Sequence, residues 1–392
     1  MRVNTSRRVA LLAAVAVGAA AMAIPTWAAE VSRSPFGTSA AGEKVEIVTL
    51  KNKAGMVVRF STRGGAIIEI SAPDRKGVRN NLVLGHPDFA AWEKAGSFNT
   101  VVGRFANRIG GGGFTLDGVF YKLKGANPSN VILHGGPGGF ASRLFTTKTF
   151  ERSAAAGAIM TYVSADGENG FPGELTLEMT YTLSEDNVLR LDYAATTTKP
   201  TVVNLTNHTY FNIGGYDSGP VYDQVMQVFA SRLTPTDAHQ VPTGQIAAVD
   251  GTPFDFRKPT PVGERIYSTD PQMLLARGID HNFVLDEQPG GGLSVAARLT
   301  DPKSGRQMEV RTTEPGVQIY TSNYMTGAAL GANGRTLRQG DAIAFETQHF
   351  PDSPNKPNFP TTVLRPGETF RSTTEYAFST DATPFPNWAD DQ

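Results

Sequence analysis

The chain contains no cysteine in its 392 residues. Disulfides, thiol nucleophiles, thiolate zinc sites and thiol redox chemistry are therefore excluded, and stability has to come from the core alone. Charge is sparse as well: charged residues make up 19% of the chain and the formal net charge is −1. No long basic run occurs, so the electrostatic footprint of a nucleic-acid partner is missing. No short repeat period is visible, which argues against a propeller or solenoid. Amphipathic helices are scarce, and only Phe89–Lys94 and Asp270–Leu275 suggest a turn or two of helix.

What is plentiful is glycine (41 residues) and proline (25 residues), which fits many turns between short strands. From Glu43 onward the pattern is strand-like. Val45, Ile47 and Thr49 alternate with polar neighbours, and Met56–Ser61 and Ala66–Ile70 follow across Gly64-Gly65. The same period-two patterning returns at 161–164, 175–183, 188–197, 293–299, 308–312 and 318–322, with turn residues such as Asp117-Gly118 and Pro366-Gly367 between runs. The expectation is an all-β fold, a large antiparallel β-sandwich over residues 43–380 with few short helices; two packed β domains are the competing reading. Residues 29–42 read as a flexible lead-in and residues 381–392 as a surface tail.

Residues 1–28 read as a secretory signal. Arg2, Arg7 and Arg8 give a positive start, the run from Val9 to Ile24 is apolar, and Thr26-Trp27-Ala28 offers small residues for cleavage. The run is shorter than the ~20 residues a membrane span needs, although an uncleaved anchor is the alternative. The chain is thus expected to be exported, periplasmic or secreted, with no stable membrane insertion after cleavage. Arg7-Arg8 leaves open whether the route is the twin-arginine one.

Two of the six histidines lie in segments built for a site. His134 stands in Leu133-His134-Gly135-Gly136, where glycines allow close backbone approach and positive φ; a tight turn alone explains the same residues. His208 stands in the segment 204–212, NLTNHTYFN, dense in Asn and Thr between apolar stretches. So many hydrogen-bonding side chains in a buried strand need a ligand or a polar network to satisfy them. The acidic candidates are Asp280, opening DHNFVL (280–285), and Glu346, in an apolar strand-like run (343–350). Burial of Glu346 would raise its pKa and make it a better base near neutrality; a structural ion pair, with Arg108 as partner, is the alternative.

Taken together, these segments resemble the aldose 1-epimerase (galactose mutarotase) family. The pieces that carry the resemblance are GRFANRI (103–109), LHGG (133–136), DGENGFPGEL (166–175), NLTNHTYFNIGG (204–215), DHNFVL (280–285), GVQIYTSN (316–323) and ETQHFPDSPN (346–355), in that order along nearly the whole chain after residue 63. The resemblance implies a large antiparallel β-sandwich with a sugar bound in a cleft on one face and no cofactor or metal. It implies His208 as general acid, Glu346 as general base, and Asn107, Arg108, His134, Asp280 and Gln318 as contacts to sugar hydroxyls. The chain departs from the family at Ile279, where a tyrosine is common, and after the LHGG loop, where Phe140 or Phe145 takes the space of a common tryptophan.

The expected reaction is exchange of the α and β anomers of free aldohexoses, galactose and glucose by default. The expected partner is the small-molecule aldose, with no nucleic acid and the chain a monomer or weak homodimer. Three alternatives stay open at this level. A non-catalytic sugar binder would keep Arg108, His134 and Asp280 but have little use for Glu346 and His208 together. A glycoside hydrolase using Asp280 and Glu346 as its carboxylate pair leaves His208 unexplained. A sugar-phosphate epimerase would need further Arg or Lys near the cleft.

Overall fold

The computed structural model describes Met1, residues 29–286 and residues 292–385. The signal reading rests on residues outside this set, Met1 apart, as does the tail beyond residue 385. Strands dominate, and the helices among the described residues are short: Phe89–Lys94, Val262–Ile266 and Pro271–Ala276. The first and third fall where the sequence suggests them. The third is capped by Asp270, whose carboxylate accepts the Gln272 N–H at 2.8 Å, and Pro271 stands early in the helix, where a missing N–H costs nothing. The helix Val262–Ile266 is not visible in the sequence, because five residues including Gly263 are too few to display a helical period.

Two large antiparallel sheets carry the architecture. The nine-stranded sheet runs in spatial order through 146–152, 155–164, 175–184, 188–197, 370–380, 306–312, 294–300, 225–228 and 260–261. The six-stranded sheet runs through Tyr210–Phe211, Ile343–Gln348, Gly316–Tyr320, Asp280–Val284, Arg232–Leu233 and Ala247–Ala248. Side chains of both meet in one buried cluster: Met179, Tyr181, Leu191, Val310 and Tyr376 from the first, Phe211, Phe283, Val317, Ile319 and Phe345 from the second. The Phe211 and Tyr376 rings are 4.8 Å apart. Each such side chain contributes roughly 1.5–3 kcal/mol when fully buried, so a core of this extent does without cross-links. The all-β antiparallel sandwich expected from the alternation is thus the observed fold.

A five-stranded meander (30–38, 44–51, 57–61, 67–73, 79–81) joins the same core through Val48, Val58 and Ile70. Its first member corrects the reading of residues 29–42 as a flexible lead-in. Glu30–Thr38 is a strand paired antiparallel with Lys44–Lys51, with an irregularity between Pro35 and Gly37. It lies at the sheet edge and most of its residues are exposed, so alternation has nothing to mark it. Backbone pairing, the Val31 N–H donated to Glu151 (2.9 Å) and the Phe36–Phe89 edge contact hold it instead.

Alternation in the six-stranded sheet decides what faces away from the core. Ile343, Phe345, Val317, Ile319 and Phe283 point inward to the apolar cluster, so their neighbours Glu346, Gln318, Tyr320, Asp280 and Asn282 point to the opposite face. The register sets Glu346 opposite Gln318 and Gln318 opposite Asn282 in one row. Tyr210, Ala344, Tyr320 and Asp280 form the next row.

Tyr181 ties the core to the site. Fully buried, it donates its hydroxyl to the Gly65 carbonyl (3.0 Å) and accepts from the Asn207 amide (2.9 Å). Tyr181→Phe leaves both groups unpaired, and a urea titration is expected to show a loss of about 1–2 kcal/mol in unfolding free energy.

Candidate active site

His208 is in the two-residue link between the short strands Thr206–Asn207 and Tyr210–Phe211, not within a continuous strand. Its N–H donates to the Thr100 carbonyl (2.9 Å), and its carbonyl accepts from the Asn99 N–H (3.1 Å). The Asn- and Thr-rich surroundings are mostly a structural network that aims this one side chain. Asn99 donates to the carbonyls of Ile67 and Leu84 and accepts from the Tyr210 N–H, all at 2.8 Å. Asn204 joins the 103–109 segment to the 346–355 segment, donating to the carbonyls of Ala106 (3.4 Å) and His349 (3.1 Å) and accepting from the His349 N–H (3.0 Å). Thr209 donates to Asn207, and Asn212 donates to the carbonyls of Gly219 and Asp341.

Glu346 comes from the middle of its strand and reaches His208: Nε2 and Oε1 are 3.4 Å apart, with the two residues 5% and 2% exposed. Burial acts on both. It lowers the His208 pKa from 6.5 to about 4 and raises that of Glu346 well above the ordinary carboxylate value; Asp280 raises Glu346 further and Arg108 opposes. Desolvation thus makes the imidazolium a stronger acid and the carboxylate a stronger base at once.

The remaining expected residues gather around this pair. Asp280 accepts from Gln318 Nε2 at 2.6 Å, and its other oxygen lies 3.4 Å from Arg108 Nη2. Its backbone is held by His281, whose Nδ1 accepts the Asp280 N–H (3.2 Å) and whose Nε2 meets Gln272 Oε1 (3.2 Å). Asn107 spends its carboxamide oxygen on the Arg108 N–H (2.9 Å) and guanidinium (3.4 Å), so it orients Arg108 as well as lining the site. The His134 ring is 5.3 Å from that of His208. Its loop presses on the 103–109 segment: a Cβ at Gly135, which has φ of 79°, would meet the Gly103 carbonyl oxygen at 2.3 Å. Asn169, from DGENGFPGEL, donates to the carbonyls of Gly135 (2.8 Å) and Pro137 (3.0 Å), which gives that motif a bracing task.

His134, His208 and Glu346 offer donor atoms all within 4.8 Å of one another, a spacing that also suits a metal ion. The hydrogen bonding speaks against His134 as a ligand. Its Nδ1 accepts the Asn107 N–H at 3.2 Å, which puts the neutral ring's proton on Nε2 and makes that nitrogen a donor.

Sequence reasoning missed Tyr210. Tyr210 is 4.8 Å from the His208 ring and stacked on Phe98 at 4.5 Å. Tyr320 is 5.9 Å from the His208 ring and lies on the site face, whereas Phe211 belongs to the core. The row register would have revealed Tyr210 had the strand partners been known; Tyr320 and Phe211 are both legible in the sequence as aromatics for the sugar's apolar face or for the core, and the structure separates them. Phe140 and Phe145 are both buried and pack on Tyr162 (5.5 and 5.8 Å), and Ile279 is core. In and beside the pair, His208 Nδ1, Glu346 Oε2 and Gln318 Oε1 are buried without a protein partner among the described residues.

An antiparallel β-sandwich that holds a buried histidine–carboxylate pair amid polar side chains with unpartnered buried atoms suits acid–base chemistry on a polar ligand. Comparison with known proteins narrows this. The family model described as aldose 1-epimerase matches residues 46–377. Galactose mutarotase of Rattus norvegicus is 39% identical over 351 residues, covering 89% of this chain and 98% of that one. Aldose 1-epimerase of Escherichia coli K12 is 35% identical over 341 residues, covering 86% and 96%. The crystal structure of galactose 1-epimerase from Lactobacillus acidophilus superposes with a TM-score of 0.79 at 27% identity, covering 90% of this chain and 99% of that one. The chain belongs to the aldose 1-epimerase family and is an isomerase.

The lowered histidines make a direct prediction. In the sugar-free protein the ring nitrogens of His208 and His281, both held down to about 4 by burial, are expected to stay neutral by nitrogen NMR until the pH approaches 4. The unfolded chain binds those protons nearer 6.5, so these two groups favour folding above that value, and their contribution is lost as the pH falls from 6.5 towards 4.

Proposed function

We propose that the chain exchanges the α and β anomers of free aldohexoses, galactose and glucose among them, with His208 as general acid and Glu346 as general base. The carrying observation is the pair itself: two groups of opposite role, 3.4 Å apart, shifted by one cause in the two directions their roles require. Ring opening removes the O1 proton to Glu346 while His208 gives its proton to the ring oxygen. The C1–O5 bond breaks, and the aldehyde forms at C1. Rotation about C1–C2 presents the other face, and the proton transfers reverse as the ring closes. Burial keeps His208 neutral in the sugar-free protein, so the one proton that the pair holds has to be on His208 once the sugar is bound; giving it to the ring oxygen then removes a charge separation that a dry site disfavours. Each group contributes roughly 10²–10⁴-fold.

Asp280, Arg108, His134, Gln318 and Asn107 are read as the hydroxyl contacts that hold the open chain while C1 turns. The unpartnered buried atoms around the pair support this reading, because a ligand rich in hydroxyls supplies both donors and acceptors.

Polarimetry on freshly dissolved α-D-glucose and α-D-galactose tests the reading. Wild type is expected to reach the equilibrium rotation much faster than the spontaneous reaction. Glu346→Gln and His208→Asn are each expected to lose about 10²-fold or more; full activity in either variant would remove the paired roles. The working pair holds one proton. The kcat/KM profile is therefore expected to be a bell: its acid limb near pH 4, where His208 takes a second proton, and its alkaline limb above the carboxylate range.

The leader pattern at 1–28 supports a second part of the proposal, that the enzyme works outside the cytoplasm on free sugars. Cell fractionation with mass analysis is expected to find a mature chain starting just after Ala28. A full-length chain in the cytoplasm would count against export.

A further inference from the structure

Beside Arg108, the rim of the site carries two polar side chains that the acid–base chemistry does not use. Gln240 stands in the turn Asp237–Val241, which is braced on itself. The Asp237 N–H donates to the Val241 carbonyl and the Gln240 N–H to the Asp237 carbonyl, both at 2.9 Å. The Asp237 carboxylate accepts from the amides of His239 (2.8 Å) and Val241 (3.0 Å). Gln240 itself has φ of 60°, a left-handed conformation that a non-glycine residue keeps when its surroundings hold it there. The brace therefore fixes the direction in which this side chain leaves the backbone.

That direction leads to Arg108. Gln240 Oε1 accepts from Arg108 Nη2 at 2.5 Å, and Gln240 Nε2 donates to the Tyr324 hydroxyl at 2.5 Å. Tyr324 is 44% exposed yet well anchored. Its N–H donates to the Tyr320 hydroxyl (3.0 Å), its ring stacks on that of Tyr320 at 6.2 Å, and the Arg277 guanidinium lies 5.7 Å from its centroid. A single arginine nitrogen with two hydrogens thus serves Gln240 at 2.5 Å and Asp280 at 3.4 Å.

The guanidinium is planar and rigid, so a short bond on one side sets both its plane and its distance from Asp280. Without Gln240, Asp280 is the strong acceptor within reach, and the two charges close into a tighter ion pair. Hydroxyls arriving at either group must then compete with that pair. We infer that Gln240, steadied by Tyr324, is a positioning residue that keeps the Arg108 guanidinium apart from Asp280 and so sets the affinity for the aldose without acting on the proton transfers. The inference rests on the reading of Arg108 and Asp280 as sugar contacts.

The test is mutarotation kinetics on galactose and glucose with Gln240→Met, Tyr324→Phe and the double variant, with Arg108→Met alongside. Gln240→Met is expected to raise KM about tenfold with kcat within about twofold, the signature of lost binding common to ground and transition states. Tyr324→Phe is expected to raise KM about threefold, and the double variant to match Gln240→Met, because the tyrosine acts through the glutamine. Calorimetric titration of the sugar into Glu346→Gln, with and without Gln240→Met, should show the same weakening in Kd. Unchanged KM in Gln240→Met, a fall in kcat at constant KM, or additive effects in the double variant each overturn the inference while leaving the enzyme's function intact. Unchanged KM in Arg108→Met overturns it together with Arg108's sugar contact. A wild type that leaves mutarotation at the spontaneous rate removes the anomer-exchange reading and the inference with it.

Discussion

The dry surroundings of Glu346 are the constraint on which the rest depends. A carboxylate 2% exposed in mid-strand is costly as a charge, and the structure surrounds it accordingly. His208 is placed within 3.4 Å, and Arg108 adds positive potential from the far side of Asp280. The same desolvation that makes the charge expensive lowers the pKa of His208 and raises that of Glu346. A wetter cleft would relax both shifts. The sandwich can provide this dryness because the strand carrying Glu346 has its other face, Ile343 and Phe345, in the main core.

The buried polar residues of the motifs divide into a few that face the candidate site and many that hold those few still. Arg104, one position into GRFANRI, is fully committed to scaffolding: it donates to the carbonyls of Pro172 (2.9 Å) and Gly173 (2.8 Å) and to Ser164. Asn204 and Asn169 perform the same service between loops distant in sequence. The candidate site is therefore pre-arranged by side chain–backbone bonds, which keep His134, His208 and Arg108 in register although each sits on a loop or a short strand.

Much of this was legible from residue order. Alternation marked 175–184 and 188–197 in the nine-stranded sheet, since one of their faces meets the core and the other is more open, but it did not mark 146–152 or 370–380. The motifs marked His134, His208, Asp280, Gln318 and Glu346, which the fold gathers from positions up to 212 residues apart in number, as from His134 to Glu346. The edge strand Glu30–Thr38 was not legible, because it is held by backbone pairing and hides few side chains. Nor were the contributions of Tyr210, Gln240 and Tyr324, for which the signal is a cross-strand register or a turn brace rather than a residue pattern. The density of Asn and Thr around His208 was read as a sign of ligand or network. The network accounts for most of it, and the ligand-facing remainder is small.

The two-row register of the six-stranded sheet bears on how such an enzyme can diversify. Glu346, Gln318 and Asp280 alternate with core residues on neighbouring strands, so sliding any one strand by a residue would exchange its site-facing groups for apolar ones and expose the core. A one-residue insertion that shifts the register of those strands carries the same penalty. The rim turns have no such coupling to the interior. Substitutions in the rim loops can therefore reshape the edge of the cleft while the register keeps the buried His208–Glu346 pair in place.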